Sequence, residues 1–239
     1  MNKTSKLRVG ILETGRPPEE LDGKFGDYPE MVRKWLAPLK AEFTTYAVLD
    51  GELPDDPTSC DVWVITGSRF AVYEDHPWIP PLEAFIRSVR DAGRKMIGIC
   101  FGHQIIAQAL GGTVRKSDKG WGLGVMPYEP ADWPEELGEK PERIDIQSYH
   151  QDQIETPPEG AKRIAGSEFC EYAALWYPGF ALTVQGHPEF SPPYLSVLLD
   201  LRRGTVLSDE DVEKGKRNLE RQARPETLAD LIRDKLEKI

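Results

Sequence analysis

Apolar positions along this chain fall into two alternating kinds of run. Leu7-Arg8-Val9-Gly10-Ile11-Leu12, the stretch from Phe43 to Leu49, Asp61-Val62-Trp63-Val64-Ile65-Thr66 and the Lys95-Met96-Ile97 run into Cys100 are short and dense. The third is nearly continuous apolar, as in strands covered on both faces. Between these runs the apolar residues keep helical spacing. Asp27 is placed to cap a helix with Pro29 in its first turn and Met31, Trp35, Leu36 and Leu39 on its face. Leu82, Phe85, Ile86 and Val89 mark a second helix over 81–91 that Gly93 ends, and 104–110 reads as a third, closed by Gly111-Gly112. Strand and helix in alternation predict an α/β fold: an open, mostly parallel sheet with helices on both faces. Ligands of such sheets bind beyond the carboxyl ends of the strands.

The second half is patterned differently. Runs at 143–149, 161–165, 173–177 and 180–185, separated by Pro and Gly, predict extra β-strands. A helix comes next, over 192–203. From Ser208 the composition shifts: Ser208-Asp209-Glu210-Asp211 has the form of a capped helix start, and 226–238 is amphipathic with Leu228, Leu231, Ile232 and Leu236. The expected organisation is therefore a main domain over 1–203 and a C-terminal helical extension over 204–239. That extension would pack on the domain or on a partner subunit, which leaves a homo-oligomer open.

Composition narrows the function classes. With 39% hydrophobic and 29% charged residues the chain fits a globular protein in water. No apolar stretch approaches the roughly 20 residues that span a bilayer, and the start, Met1-Asn2-Lys3-Thr4-Ser5-Lys6, has no signal-peptide core. The cytoplasm is the expected compartment, with no membrane partner. Forty acidic against thirty basic residues, a net charge of −10, argue against nucleic acid. Cys60, Cys100 and Cys170 are too scattered for a disulfide framework, and neither a Cys-x-x-Cys nor a paired-histidine spacing supports a metal site. No phosphate-cradling Gly-x-x-x-x-Gly-Lys loop appears, and no cofactor is expected.

Candidate chemistry lies in two segments. Gly98-Ile99-Cys100-Phe101-Gly102-His103-Gln104 has the form of a nucleophile elbow, a strained strand-to-helix turn that exposes the residue at its tip. A thiol at the first turn of a helix faces unpaired N–H groups that favour the thiolate. Far downstream, Thr183-Val184-Gln185-Gly186-His187-Pro188-Glu189-Phe190 sets a histidine and a glutamate two apart behind an apolar strand. His187 would be base toward Cys100, with Glu189 orienting the imidazole. Taken alone, each piece reads more readily as structure: a small buried hydrophobe and a loop at a strand end.

Together the two segments resemble the class I glutamine amidotransferase family and its Cys-His-Glu triad, over about residues 7–203. The resemblance implies a flavodoxin-like sheet, with Cys100 as nucleophile, His187 as base and Glu189 as orienting acid. It places Thr66-Gly67-Ser68 on the family's glycine loop, so that the Gly67 and Phe101 amides would form the oxyanion hole. It also implies substrate contacts from Gln104 and from Ser148-Tyr149-His150-Gln151-Asp152, and so makes Tyr149, His150 and Gln151 candidate binding residues. The implied activity is glutamine side-chain hydrolysis to glutamate and ammonia through a γ-glutamyl thioester. Ammonia would pass to a synthase subunit, on which a silent amidotransferase would depend. The chain is also similar to stand-alone GMP synthase-like amidotransferase domains and to plant γ-glutamyl peptidases, which implies γ-glutamyl compounds such as glutathione as alternative substrates. It departs from the family pattern at Ser68, where many members carry a second glycine, and at Lys119-Gly120-Trp121-Gly122-Leu123-Gly124, which lacks an acidic residue found in several relatives. The structural reading of the remaining groups is plain: His103 inside the elbow helix, His76 in a loop, Cys60 and Cys170 inert.

Overall fold

The computed structural model describes residues 6–236. Its elements are β1 (Arg8–Leu12), α1 (Tyr28–Trp35), β2 (Glu42–Tyr46), β3 (Val62–Ile65), α2 (Ile79–Asp91), β4 (Lys95–Ile99), α3 (Phe101–Ala109), β5 (Thr113–Lys116), β6 (Gly122–Pro130), β7 (Ile144–His150), β8 (Asp152–Thr156), β9 (Lys162–Gly166), β10 (Ala174–Tyr177), β11 (Ala181–Val184), α4 (Pro192–Arg202), α5 (Asp209–Leu219) and α6 (Pro225–Lys235). Among the described residues, nine strands share one sheet in the order β2-β1-β3-β4-β11-β10-β9-β6-β7. The run β2-β1-β3-β4-β11 is parallel, and the pairings from β10 onward are antiparallel. A separate ribbon pairs β5 with β8.

Strand alternation explains the two-sided core. Val9, Ile11, Val62, Val64, Ile97 and Ile99 face one side, with Val32 and Trp35 of α1 and Leu228, Ala229 and Ile232 of α6. Trp63, Ile65 and Met96 face the other, with Leu82, Phe85 and Ile86 of α2 and Ile105 and Ile106 of α3. The expected fold class, a mostly parallel α/β sheet with helices on both faces and extra strands in the second half, is the observed one.

Local rules set the boundaries. The Asp27 carboxylate accepts from the Glu30 amide at 2.7 Å, which caps α1 as its position suggests. The helix stops at Trp35, short of Leu39, because Pro38 disfavours helical backbone just before it; a 3₁₀ turn over Ala37–Leu39 comes next. The strand expected over 43–49 ends at Tyr46, and Val48–Asp50 is a 3₁₀ turn closed by Gly51 at φ 90°. The elbow helix begins earlier than expected, at Phe101. Strands β5, β6 and β8 carry no clear apolar signal in the sequence.

The C-terminal helices lie on the sheet. Ser208 and Asp211 form a reciprocal capping box at the start of α5. This helix crosses β6 where Gly124 meets the Gly215 carbonyl, and the Asn218 side chain donates to the Leu123 carbonyl at 2.9 Å. Just before and at the start of α6, the Arg224 amide donates to the Asp145 carbonyl at 3.0 Å, and the Pro225 carbonyl accepts from the Trp35 indole at 3.1 Å. These contacts strap α1 to β7. Residues 1–5, and 237 and 238 of the amphipathic stretch, lie outside the described residues. Among the described residues no helix is long and apolar enough to cross a membrane.

Candidate functional site

Three neighbouring parallel strands, β3, β4 and β11, end side by side, and the candidate site is built from the segment just past the end of each. After β4 the chain turns at Cys100, one of two described non-glycine residues with positive φ (50°, ψ −101°). That backbone is strained for any residue with a Cβ, and it puts the side chain at the start of α3. The flanking glycines are needed for room: an added Cβ would lie 2.6 Å from the Gly102 carbonyl oxygen at Gly98, and 2.5 Å from the Ile65 carbonyl oxygen at Gly102. The elbow therefore forms because α3 folds back onto the backbone of β3 and β4.

After β11, the His187 amide donates to the Gln147 carbonyl at 2.6 Å, and its ring stacks on Phe190 with centroids 4.0 Å apart and planes at 9°. Nδ1 of His187 lies 2.8 Å from Oε1 of Glu189, and both side chains are buried. Burial pushes the imidazole toward its neutral form. The nearby Glu189 and Cys100 groups outweigh burial, and the pKa of His187 stands above the ordinary histidine range. Gly67, after β3, sits against both partners: a Cβ there would fall 2.7 Å from the His187 ring and 3.7 Å from Cβ of Cys100. Cys100, His187, Glu189 and Gly67 thus share one buried place.

The amides of Gly67 and Phe101 are buried, and among the described residues neither donates a hydrogen bond; the half-buried Ser68 amide is also free. The Gly67 peptide is held from behind. Thr14, after β1, donates its hydroxyl to the Thr66 carbonyl at 2.9 Å and lies 3.4 Å from the Gly67 carbonyl, which the Thr66 hydroxyl also reaches at 3.2 Å.

The expected binding residues divide. Gln104 points inward: its side-chain NH₂ donates to the Asp152 carbonyl at 2.9 Å and to Oε1 of Gln185 at 3.0 Å. The Gln185 NH₂ in turn faces the Cys100 sulfur at 3.7 Å. Tyr149 is half-buried, its ring packs on Trp121, and burial pushes its phenol up to about 12. His150 is buried with Nδ1 3.3 Å from the Asp152 carbonyl and, among the described residues, no hydrogen-bond partner for Nε2; burial lowers its pKa to about 4. Gln151 lies at the strand end, reaching the Ser117 carbonyl at 3.4 Å.

His103 is fully buried, with Nδ1 on Thr183 at 2.7 Å and Nε2 on the Tyr172 carbonyl at 2.9 Å, and burial lowers it to about 3. His76 contacts Glu74 and the Phe70 and Trp78 rings. Cys60 and Cys170 are buried free thiols that burial pushes upward. No metal-binding cluster occurs among the described residues. Tyr28, at the start of α1, has no sequence signal. Its phenol is raised by burial and by Tyr194, and also senses Glu189 and Cys100. Gln185 lies in the same stretch as His187 and Glu189, yet nothing in its spacing points it at the sulfur.

The class I glutamine amidotransferase family model matches residues 59–194, more than half of the chain and the whole span from before β3 to the start of α4. The chain belongs to the class I glutamine amidotransferase family. A glutamine amidotransferase-like protein of Schizosaccharomyces pombe is 31% identical over 92% of this chain and 95% of its own length. Gamma-glutamyl peptidase 4 of Arabidopsis thaliana is 33% identical over 80% of this chain and 79% of that protein. A crystal structure of a glutamine amidotransferase from Thermotoga maritima shares the fold at TM-score 0.73 and 21% identity, covering 97% of each chain.

Proposed function

We propose that this protein hydrolyses the side-chain amide of glutamine through a Cys100-His187-Glu189 triad. The carrying observation is the burial of His187 against Glu189, with Gly67 set against both the His187 ring and Cys100. Cys100 sulfur attacks the amide carbon, and the carbonyl electron pair moves to oxygen. The free Gly67 and Phe101 amides receive that oxyanion; preorganised donors of this kind typically supply about 10²–10³ in rate. Protonated His187 gives its proton to the leaving nitrogen as the C–N bond breaks, and ammonia departs from a γ-glutamyl thioester. Neutral His187 then takes a proton from water as the water oxygen attacks the thioester; the C–S bond breaks, glutamate is released, and the Cys100 thiolate and protonated His187 that began the cycle are restored. Glu189 holds the imidazole by its Nδ1 and stabilises the cationic form.

Tyr149, His150 and Gln151 are proposed to frame the amino-acid end of the acyl group, with ammonia passed to a synthase subunit. A second reading, supported by the relationship to an Arabidopsis gamma-glutamyl peptidase, keeps the acyl chemistry and replaces ammonia with the amine of a peptide. The test is a panel of glutamine, glutathione and γ-glutamyl dipeptides, assayed for released glutamate with Cys100→Ala alongside. Glutamine turnover supports the first reading and peptide turnover alone the second. In either case Cys100→Ala is expected to lose about 10⁴-fold in kcat. A Cys100→Ala protein with undiminished activity would overturn both.

A further inference from the structure

Gln185 carries no role in the triad mechanism, yet it is fully buried and its amide nitrogen lies 3.7 Å from the Cys100 sulfur. An amide side chain can face a neighbour with either end, donor or acceptor, and the choice is settled by its hydrogen-bond network. Here the network has a fixed end. The Asp152 backbone carbonyl can only accept, so the Gln104 side chain must present its NH₂ there, at 2.9 Å. The same NH₂ carries a second hydrogen, and it lies 3.0 Å from Gln185, which must therefore turn its carbonyl oxygen toward Gln104. That leaves the Gln185 NH₂ facing the sulfur. A thiolate is an acceptor only, so the polarity set at Asp152 suits the reactive form of Cys100.

We propose that Gln185 is a further catalytic residue, donating a hydrogen bond to the Cys100 sulfur, and that Gln104 is a positioning residue that fixes which end of the Gln185 amide faces it. This rests on Cys100 being the nucleophile. No proton is transferred: the N–H dipole stabilises the sulfur anion before attack and again when the thioester breaks. It also assigns Gln104 to the nucleophile's surroundings, since its NH₂ is already engaged on two protein acceptors.

The test compares Gln185→Met, Gln104→Met, Gln104→Glu and the double variant Gln104→Glu/Gln185→Met in hydrolysis of glutamine and glutathione, with Cys100→Ala in the same assay and thermal unfolding as a control for folding. Gln185→Met removes the donor at nearly constant volume, and kcat is expected to fall about tenfold with KM little changed, the size of a hydrogen bond to a charged group. Gln104→Met frees the Gln185 amide and is expected to cost less than Gln185→Met. Gln104→Glu is the decisive case. Its carboxylate still bonds to Gln185 but only accepts, so it turns the Gln185 carbonyl toward the sulfur, and kcat should fall further than in Gln104→Met, about a hundredfold. In the double variant Gln185 has no carbonyl to present, and activity should recover to the level of Gln185→Met; a buried-charge effect alone would persist there. Gln104→Glu no worse than Gln104→Met, or a double variant in which the two losses multiply, overturns the proposal. Loss of activity in Cys100→Ala with wild-type rates in every glutamine variant overturns it while leaving the triad reading intact. A Cys100→Ala protein that remains active removes the functional reading itself.

Discussion

In the parallel half of the sheet, β3, β4 and β11 each end at the candidate site and each delivers something that can react or polarise: Gly67, Cys100, and His187 with Glu189. The antiparallel half and the β5–β8 ribbon approach the same place and deliver mostly backbone. The Gln147 carbonyl of β7 takes the His187 amide, and the Asp152 carbonyl that opens β8 takes the Gln104 side chain. Parallel strands point their carboxyl ends the same way, so groups from distant sequence positions meet about 4.8 Å apart, one strand spacing. The antiparallel strands bring two backbone carbonyls, of Gln147 and Asp152, to that row. One half supplies the side chains of the proposed mechanism and the other holds them in register, which makes the two halves separable by mutation.

The sharpest break falls in the parallel half. Gly102→Ala places a Cβ 2.5 Å from the Ile65 carbonyl oxygen, a backbone atom that cannot step aside. It is expected to destabilise by about 3 kcal/mol in denaturant unfolding, with loss of activity. Glu189→Gln keeps the shape and removes the charge; kcat/KM should fall about 10⁴-fold, as expected when a charge-oriented base loses its partner. Its pH profile carries a sign. Glu189 and Cys100 hold His187 up against burial, so without the carboxylate the imidazole surrenders its proton at lower pH. The alkaline limb of kcat/KM, which in the proposed mechanism needs protonated His187 for the leaving nitrogen, should therefore move to lower pH.

Gly215→Ala tests the other half. Its Cβ would sit 3.0 Å from Leu123 and Leu199 side chains and lift α5 from β6. A loss of about 1.5 kcal/mol in stability is expected, with KM raised and kcat kept; a fall in kcat equal to that of Glu189→Gln would erase the division between halves. The smallest effect belongs to Thr14→Val, which removes a hydroxyl from behind the Gly67 peptide. The expected loss is about fivefold in kcat, one neutral hydrogen bond's worth, with KM unchanged, read by steady-state kinetics.

The same division governs what the sequence reveals. Val62 to Ile65 announces itself because both faces of β3 are covered and every position is apolar. Strand β6 does not, since Gly122, Gly124, Pro127 and Pro130 resemble a loop until α5 is laid across Gly124. Cys100, His187 and Glu189 are legible as partners only because the elbow and the His-Pro-Glu segment occur together in one chain; each alone reads as structure. Gln185 and Thr14 are not. Their meaning depends on β11 lying beside β4 and β1 beside β3, which is information about strand order rather than about neighbours in sequence. The helix that stops at Trp35 and the strand that stops at Tyr46 look longer in sequence for a related reason: 3₁₀ turns keep apolar spacing after the regular element has ended.

The Asp152 carbonyl has a consequence for how this protein would look under mutation. The atom that orders the Gln104 and Gln185 amides belongs to the main chain, and every amino acid offers it. Substitution at position 152 would report the side-chain carboxylate, which accepts from the Tyr73 hydroxyl at 2.9 Å at the rim, and would leave the carbonyl in place. A saturation scan would thus score this position as a modest surface contact. Only a change in the backbone path that carries this carbonyl away from Gln104 would expose the dependence. The dependence is written into the path of the backbone, where replacing letters does not reach it.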